Sequence, residues 1–318
     1  MAPTEAILAK AAPPGSTIGI VTPGSQAESR AEVLRGIAWW EAHGYRVKLA
    51  DGALMETDWH AGPPEVRARD LQQAFADPEI DAIQTMRGGY GSAQVIPLLD
   101  LEAIARQPKA FFGLSDITAL HVAFNKVGLA TFYGPNLTMV GDPSPPSFTT
   151  ERFLSVLGGE TVGAVPPDSE RLNLIGLSPG RASGRLLGGC LVDFMYTIGT
   201  PWEISLDEAI WFFEETATAP IRIDRALLWL DQIGKLRGVR GIVIGELAGC
   251  EWYNFQSSPR SKTLEVLLAD RLAGLGVPIL YGLPLGHGST LATLPLGVQA
   301  TVDADALTLT IDEPALIP

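Results

Sequence analysis

The chain has 318 residues, of which 46% are apolar and 19% charged, with a formal net charge of −13. That balance excludes a disordered chain, and the acidic surplus excludes the basic surface that a duplex-binding protein needs to displace counterions from phosphates. No nucleic-acid partner is expected, and the length predicts two domains because one core rarely grows this large. The start carries Glu5 and a lone Lys10 ahead of Pro13 and Pro14, without the basic end and apolar run of a signal peptide. No segment reaches the ~20 apolar residues that span a bilayer. These features predict a cytoplasmic protein with no membrane partner.

The first half alternates two periodicities. Thr17–Thr22 reads as a strand leading into Pro23-Gly24-Ser25, and Ser29–His43 as a helix stopped by Gly44. Tyr45–Ala50 reads as a second strand and Val66–Ala76 as a second helix, with Leu71, Ala74 and Phe75 on one stripe. Ala82–Thr85 is a third strand that runs into Arg87-Gly88-Gly89-Tyr90-Gly91, and Ser92–Leu99 reads as a helix. Ala110–Leu114 is a fourth strand, with the helix Asp116–Val127 directly after it. Such alternation predicts a mostly parallel sheet with helices on both faces. In the second half, strands are expected near Gly184–Leu187, over Gly241–Gly245, Val298–Asp303 and Leu307–Asp312, with helices over Ile223–Gln232 and Thr263–Ala273. The proline-rich stretch from Pro143 to Pro167 marks the connection. The expected division is a first domain over 1–145, a linker over 146–170 and a second domain over 171–318.

Several segments carry chemistry. In Phe112-Gly113-Leu114-Ser115-Asp116 an apolar strand stops at a serine where a helix begins. A serine there stands at the carboxyl end of a parallel strand, where open α/β sheets bind ligands, and faces the free N–H groups of the helix start. The same serine equally suits an ordinary N-cap, and Ile117 breaks the G-x-S-x-G elbow. Of the four histidines, His43 precedes a helix-ending glycine, His60 sits in a polar loop, and His121 follows Ser115 on its own helix. His287 lies between Gly286 and Gly288, which give the backbone room to present a side chain. The apolar run Ala209–Phe213 ends in Glu214 and Glu215, either an orienting carboxylate for a histidine or a pair of exposed strand-end acids. The three glycines after Arg87 let backbone approach a ligand but lack dinucleotide or Walker spacing, and no His/Cys/Asp/Glu cluster has metal-ligand spacing. Cys190 and Cys250, the two cysteines, fit no paired motif and read as reduced thiols.

Taken together, Arg87-Gly-Gly-Tyr-Gly, Gly113-Leu-Ser115-Asp-Ile-Thr-Ala-Leu-His121, Tyr133-Gly-Pro, Gly188-Gly189, Gly199-Thr-Pro201, Phe213-Glu214, Arg222-Ile-Asp-Arg225 and Gly286-His287-Gly with Leu294-Pro-Leu-Gly297 resemble the LD-carboxypeptidases and the related microcin C immunity proteins. The resemblance runs from about Ile18 to Val302 and rests on the order of the motifs. It implies an α/β fold with a Rossmann-like N-terminal domain and a C-terminal domain built around a small β-barrel with helices. It further implies a serine peptidase with Ser115 as nucleophile, His287 as base and Glu214 as orienting carboxylate. The backbone of Gly88, Gly89 and Asp116 would form the oxyanion hole. Arg87, Tyr90 and Cys190 are candidate substrate contacts, and no metal or cofactor is implied. Family members are usually homodimers. The substrate so implied is the amide before the terminal D-alanine of a murein tetrapeptide. The alternative is the peptidyl-nucleotide amide that the immunity proteins cut, and a non-catalytic binder of a small ligand is a third reading. Two departures bear on specificity: Cys190 stands where relatives commonly have asparagine, and Thr218 where a glutamate is frequent.

Overall fold

The computed structural model describes residues 5–166, 174–251 and 262–318. After a two-residue strand, β1 (Ala9–Lys10), comes β2 (Thr17–Val21), buried along its whole length. Helix α1 (Arg30–Ala42) starts at Ser29, whose hydroxyl accepts the Glu32 N–H, and stops where Gly44 turns left-handed at φ +83°. Strand β3 (Arg46–Leu49) pairs parallel to β2. Helix α2 (Pro64–Ala76) opens on a proline, where no backbone N–H is needed, and buries Leu71, Ala74 and Phe75. It returns the chain to β4 (Ala82–Thr85) on the other side of β2. The helix expected over Ser92–Leu99 is shorter: α3 (Ser92–Val95) gives way to a 3-10 turn containing Pro97, which has no N–H to continue an α-helix. Helix α4 (Leu101–Arg106), which the sequence reading did not anticipate, leads to β5 (Ala110–Gly113). A 3-10 turn over Ser115–Ile117 precedes α5 (Thr118–Lys126), and β6 (Thr131–Tyr133) follows beside β5.

Strands β2 to β6 are mutually parallel, in the order β6-β5-β4-β2-β3. The chain changes direction across the sheet between β3 and β4. The carboxyl ends of β2 and β4 therefore flank a switch point, the place where open sheets of this kind bind ligands.

Helices α6 (Leu137–Val140) and α7 (Ser147–Leu157) come next. The connection expected over 146–170 is thus not bare chain. Helix α7 buries Phe153, Val156 and Leu157, and the Phe153 ring meets Trp40 at 5.4 Å and Phe112 at 5.0 Å. The prolines at 143, 145 and 146 set the entry to this helix, which is why the stretch reads as linker in sequence. Residues 167–170 of that connection lie outside the described residues.

The second sheet is built by β7 (Ile175–Ser178), β8 (Arg181–Cys190), α8 (Leu191–Met195), β9 (Ala209–Thr216), α9 (Pro220–Gln232), β10 (Gly241–Ala248), α10 (Leu264–Leu272) and β11 (Ile279–Tyr281). Strand β12 (Leu294–Leu296) leaves for the first sheet, and β13 (Gln299–Asp303), β14 (Thr308–Ile311) and β15 (Leu316–Ile317) end the chain. Seven strands in the order β14-β13-β8-β9-β10-β11-β7 curl into a half-barrel. Strands β8 to β11 are parallel, with antiparallel strands on both flanks. The curl brings the ends together: β7 runs so close to the turn after β13 that a Cβ on Gly176 would collide with the Ala304 carbonyl oxygen.

Two features lock the sheets together. Strand β12 pairs antiparallel with β6 at the edge of the first sheet, a position that tolerates Pro295 because its missing N–H can face away from the ladder. One face of each sheet feeds a shared apolar cluster that includes Ile20, Phe112, Phe132, Leu186, Phe212 and Val302. Each fully buried phenylalanine there is worth about 1.5–3 kcal/mol.

Candidate active site

Strand β5 is wholly buried and delivers Ser115 to the surface at its carboxyl end. Ser115 has φ +65°, in the left-handed region that costs an ordinary residue about 1–2 kcal/mol. Neither the 3-10 turn nor α5 has a side-chain cap, so the Ser115 hydroxyl does not serve as an N-cap. Strain at a residue whose side chain does no capping points to chemistry.

The glycine turn after β4 lies against this serine. A Cβ on Gly88 would stand 2.8 Å from Ser115 Cβ, closer than real side chains approach, and a tight 3.3 Å from the Asp116 nitrogen. Gly89 turns left-handed at φ +86°, and a Cβ there would meet Ser25 Cβ at 2.5 Å. Three side chains hold the turn. Asp116 accepts from the N–H groups of Gly91 at 3.2 Å and Ser92 at 2.8 Å. Ser25 Oγ accepts from the Tyr90 N–H at 3.0 Å and donates to the Trp59 carbonyl at 2.7 Å. Arg67, almost fully buried, donates to the carbonyls of Gly62, Pro23 and Gly91. Ser25 and Arg67 are supports that the sequence reading missed. Nothing in a polar helix residue such as Arg67 announces that it faces inward.

The second sheet supplies the acid and the histidine. Strand β9 is buried through Glu215, so Glu214 and Glu215 are not the exposed strand-end acids that the sequence left open. Glu214 is completely buried, a costly place for a charge unless donors surround it. Three do. His287 donates to Glu214 Oε2 from its ring Nδ1 at 2.8 Å and from its backbone N–H at 3.2 Å, and Tyr133 donates from its hydroxyl to Oε1 at 2.5 Å. The Tyr133 oxygen in turn accepts the Ser115 N–H at 3.0 Å. A continuous path of hydrogen bonds thus joins Ser115, on the first sheet, to His287, on the loop after β11. Tyr133 is the residue that sequence reasoning failed to place. Its Tyr-Gly-Pro motif was visible as a mark of the family resemblance, but nothing in it gave the hydroxyl a partner.

Gly286 makes the His287 contact possible. Its φ is +111°, and a Cβ would lie 2.6 Å from Glu214 Cδ. Gly286→Ala is therefore expected to push the loop off Glu214 and lower kcat/KM by about 10²-fold, the cost of a displacement near 1 Å. Steady-state kinetics on the folded variant check this; retained activity would show that the His287 loop is free to shift.

The electrostatics favour proton chemistry at His287. Burial alone pushes its imidazole down, but the hydrogen bond and charge of Glu214, with the charges of Glu215 and Asp193, outweigh that and raise it above an ordinary histidine. Burial and the neighbouring Asp116, Glu215 and Glu214 push the Asp193 carboxyl up to about 7. His121 is fully buried and pushed down to about 4, with Nε2 donating to the Gly113 carbonyl at 3.0 Å, so it braces the strand behind Ser115 as a neutral ring. His43 is exposed and bonds Trp39, and His60 stacks loosely on Tyr90 with ring centres 5.2 Å apart.

Of the candidate substrate contacts, Tyr90 is 56% exposed beside the glycine turn. Arg87 is ion-paired with Glu28 at 3.0 Å and lines a cavity of 240 Å³ with Glu32, Arg35 and Asp142. Cys190 is only 4% exposed; its N–H donates to Thr118 Oγ1 at 2.9 Å and its thiol to Glu215 Oε1 at 3.7 Å. Gly189, at φ +146°, lets β8 pass Thr118 closely, since a Cβ would meet its methyl group at 2.7 Å.

Residues 18–134 match the model of the LD-carboxypeptidase N-terminal domain, and residues 183–302 that of the LD-carboxypeptidase C-terminal domain. The chain belongs to the LD-carboxypeptidase family. As a member of that family it is a serine-type, carboxypeptidase-like hydrolase, which sets aside the reading as a non-catalytic binder. It is 33% identical to a Bacillus subtilis protein named "Probable murein peptide carboxypeptidase", over 95% of this chain and 93% of that one. Among solved structures it is similar to the Escherichia coli microcin self-immunity protein, with TM-score 0.87, 26% identity and coverage of 98% and 100%. It is also similar to the muramoyltetrapeptide carboxypeptidase from Oxalobacter formigenes, with TM-score 0.80, 27% identity and coverage of 94% and 100%. In the described residues of this LD-carboxypeptidase-family chain, no helix is long and apolar enough to cross a membrane.

Proposed function

We propose that this protein hydrolyses the amide bond before the terminal D-alanine of murein tetrapeptides, with Ser115 as nucleophile, His287 as general base and Glu214 as orienting carboxylate. The observation that carries the reading is the hydrogen-bonded path from the Ser115 backbone through Tyr133 and Glu214 to His287 Nδ1. His287 takes the Ser115 proton as the oxygen attacks the amide carbonyl, and Glu214 holds the tautomer and balances the imidazolium that forms. The N–H groups of Gly88, Gly89 and Asp116 receive the oxyanion. Collapse of the tetrahedral species breaks the C–N bond, and His287 returns the proton to the amine of the departing D-alanine. Water, deprotonated by His287, then opens the ester between Ser115 and the shortened peptide. The murein substrate is supported by the names of the Bacillus and Oxalobacter relatives.

The higher TM-score to the microcin self-immunity protein, a structure of which is titled as a complex with aspartyl sulfamoyl adenosine, favours a second reading. In it the same residues cut an aminoacyl-nucleotide conjugate. Mass spectrometry of the protein incubated with murein tetrapeptide, beside an aspartyl-adenylate analogue with a cleavable link, separates the two. Loss of one alanine from the tetrapeptide supports the carboxypeptidase. An intact tetrapeptide with a cleaved conjugate supports the amidase.

Tyr90 lies within reach of either substrate at the rim of the glycine turn. Tyr90→Ala removes no core contact and is expected to raise KM roughly threefold to tenfold, the worth of one aromatic contact, with kcat little changed. An unaltered KM would take Tyr90 out of the binding surface.

A further inference from the structure

Tyr133 takes no part in the steps above, yet its hydroxyl touches both halves of the site. It is wholly buried at the last position of β6, with its ring edge-on to Phe212 at 5.3 Å and 5.7 Å from His121. A phenol has one proton to give. Burial, with the Glu214 charge beside it, pushes the hydroxyl well above an ordinary tyrosine, so that proton stays on the oxygen. Glu214 Oε1 accepts it at 2.5 Å, and a carboxylate has nothing to donate in return. The remaining lone pairs face the Ser115 N–H at 3.0 Å. Both bonds therefore have a fixed direction, from Ser115 to Tyr133 to Glu214.

We propose that Tyr133 is a positioning residue: it holds the Ser115 backbone in its left-handed turn and, through the same hydroxyl, sets how much Glu214 charge is left to hold a proton on His287. The proposal rests on the assignment of Ser115, Glu214 and His287 made above. Charge-assisted hydrogen bonds are short and strong and draw electron density from the acceptor. Each such bond to Glu214 lessens its pull on the imidazolium. The groups whose charge acts on His287 are Glu214 and Glu215 at the end of β9 and Asp193 on α8; Glu246 on β10 lies against the adjacent Gly288, and Cys190 faces Tyr133. A change at Tyr133 leaves all of them in place.

The test compares Tyr133→Phe with the protein carrying 2,3-difluorotyrosine at position 133, a stronger donor. His287 is titrated by NMR with labelled histidine, and kcat and KM are measured against pH. In Tyr133→Phe the Glu214 charge is less engaged, so the His287 midpoint should move up by about half to one pH unit. Because protonated His287 cannot act as base, the acid limb of kcat/KM should move up with it. The loosened Ser115 turn should lower kcat about 10²-fold with KM nearly unchanged. In the fluorinated protein the midpoint should move down and most activity remain. An unmoved His287 midpoint in Tyr133→Phe, or midpoints moving the same way in both proteins, overturns the proposal. If the phenylalanine variant does not fold, the direction of the shift in the fluorinated protein decides alone. The titration needs no substrate, so failure of the functional reading is seen separately, as turnover retained by a Ser115→Ala variant.

Discussion

Ser115→Ala is expected to lower kcat by roughly 10⁵–10⁶-fold while leaving the fold intact. Alanine keeps the Cβ that Gly88 makes room for, and its N–H can still donate to Tyr133. The left-handed backbone costs alanine about what it costs serine, 1–2 kcal/mol. Only the hydroxyl oxygen is lost, and it caps nothing. The thermal midpoint should therefore stay within a few degrees of the parent. Single-turnover measurements on a murein tetrapeptide check the rate, and mass spectrometry of the quenched parent should show an ester on the peptide containing residue 115. A folded alanine variant that turns over at the parental rate would remove Ser115 as the nucleophile.

The second large effect is expected at Glu214. Glu214→Gln preserves shape and still accepts the Tyr133 hydroxyl bond. Its amide, however, can turn an N–H toward His287 Nδ1, which then has to be the unprotonated nitrogen. That places the ring proton on Nε2, the nitrogen needed free to accept from the nucleophile. Loss of the correct tautomer costs about 10⁴-fold in kcat in serine hydrolases of this logic. The variant should bind substrate with KM close to the parent, because Glu214 is fully buried and sits behind the ring. The His287 midpoint should fall, since the hydrogen-bonded negative charge that raises it is gone. Activity within tenfold of the parent would assign the orienting role to another group, and Glu215, buried on the same strand, would be examined first.

Much of this arrangement was legible as separate marks. Ser115 at a strand end, Glu214 after an apolar run and His287 between glycines were each candidates by local pattern, with an N-cap, exposed acids or a structural histidine still open, and the family resemblance singled them out. What the pattern did not reveal was their meeting, because the contacts that join Glu214 to Tyr133 and to His287 span 81 and 73 residues and depend on how two sheets pack. The parallel order of β2 to β6 followed from alternating periodicities, which are local. Strand β12 did not, because its proline argues against a strand until the edge position is known. Helix α7 was hidden for a related reason: the prolines that shape its entry resemble those of a linker. Tyr133 and Arg67 were the larger omissions. Both are polar groups whose roles lie in what they face from inside, and hydropathy along the chain is blind to that.

The pairing of β12 with β6 also bears on how the protein is made. Chains emerge from the ribosome N-terminus first, and the first sheet has its five parallel strands by residue 133. The outer edge of β6 nevertheless stays uncovered until β12 appears about 160 residues later, on the order of 10–30 s at usual synthesis rates. An open sheet edge is a template for joining another chain. During that interval the nascent protein carries an exposed edge, and for about the first 80 residues of it Tyr133, at the end of that edge, has no Glu214 to hold it. The strand that closes the edge follows directly after the loop bearing His287. Completion of the first sheet and assembly of the active site are thus one late event in synthesis.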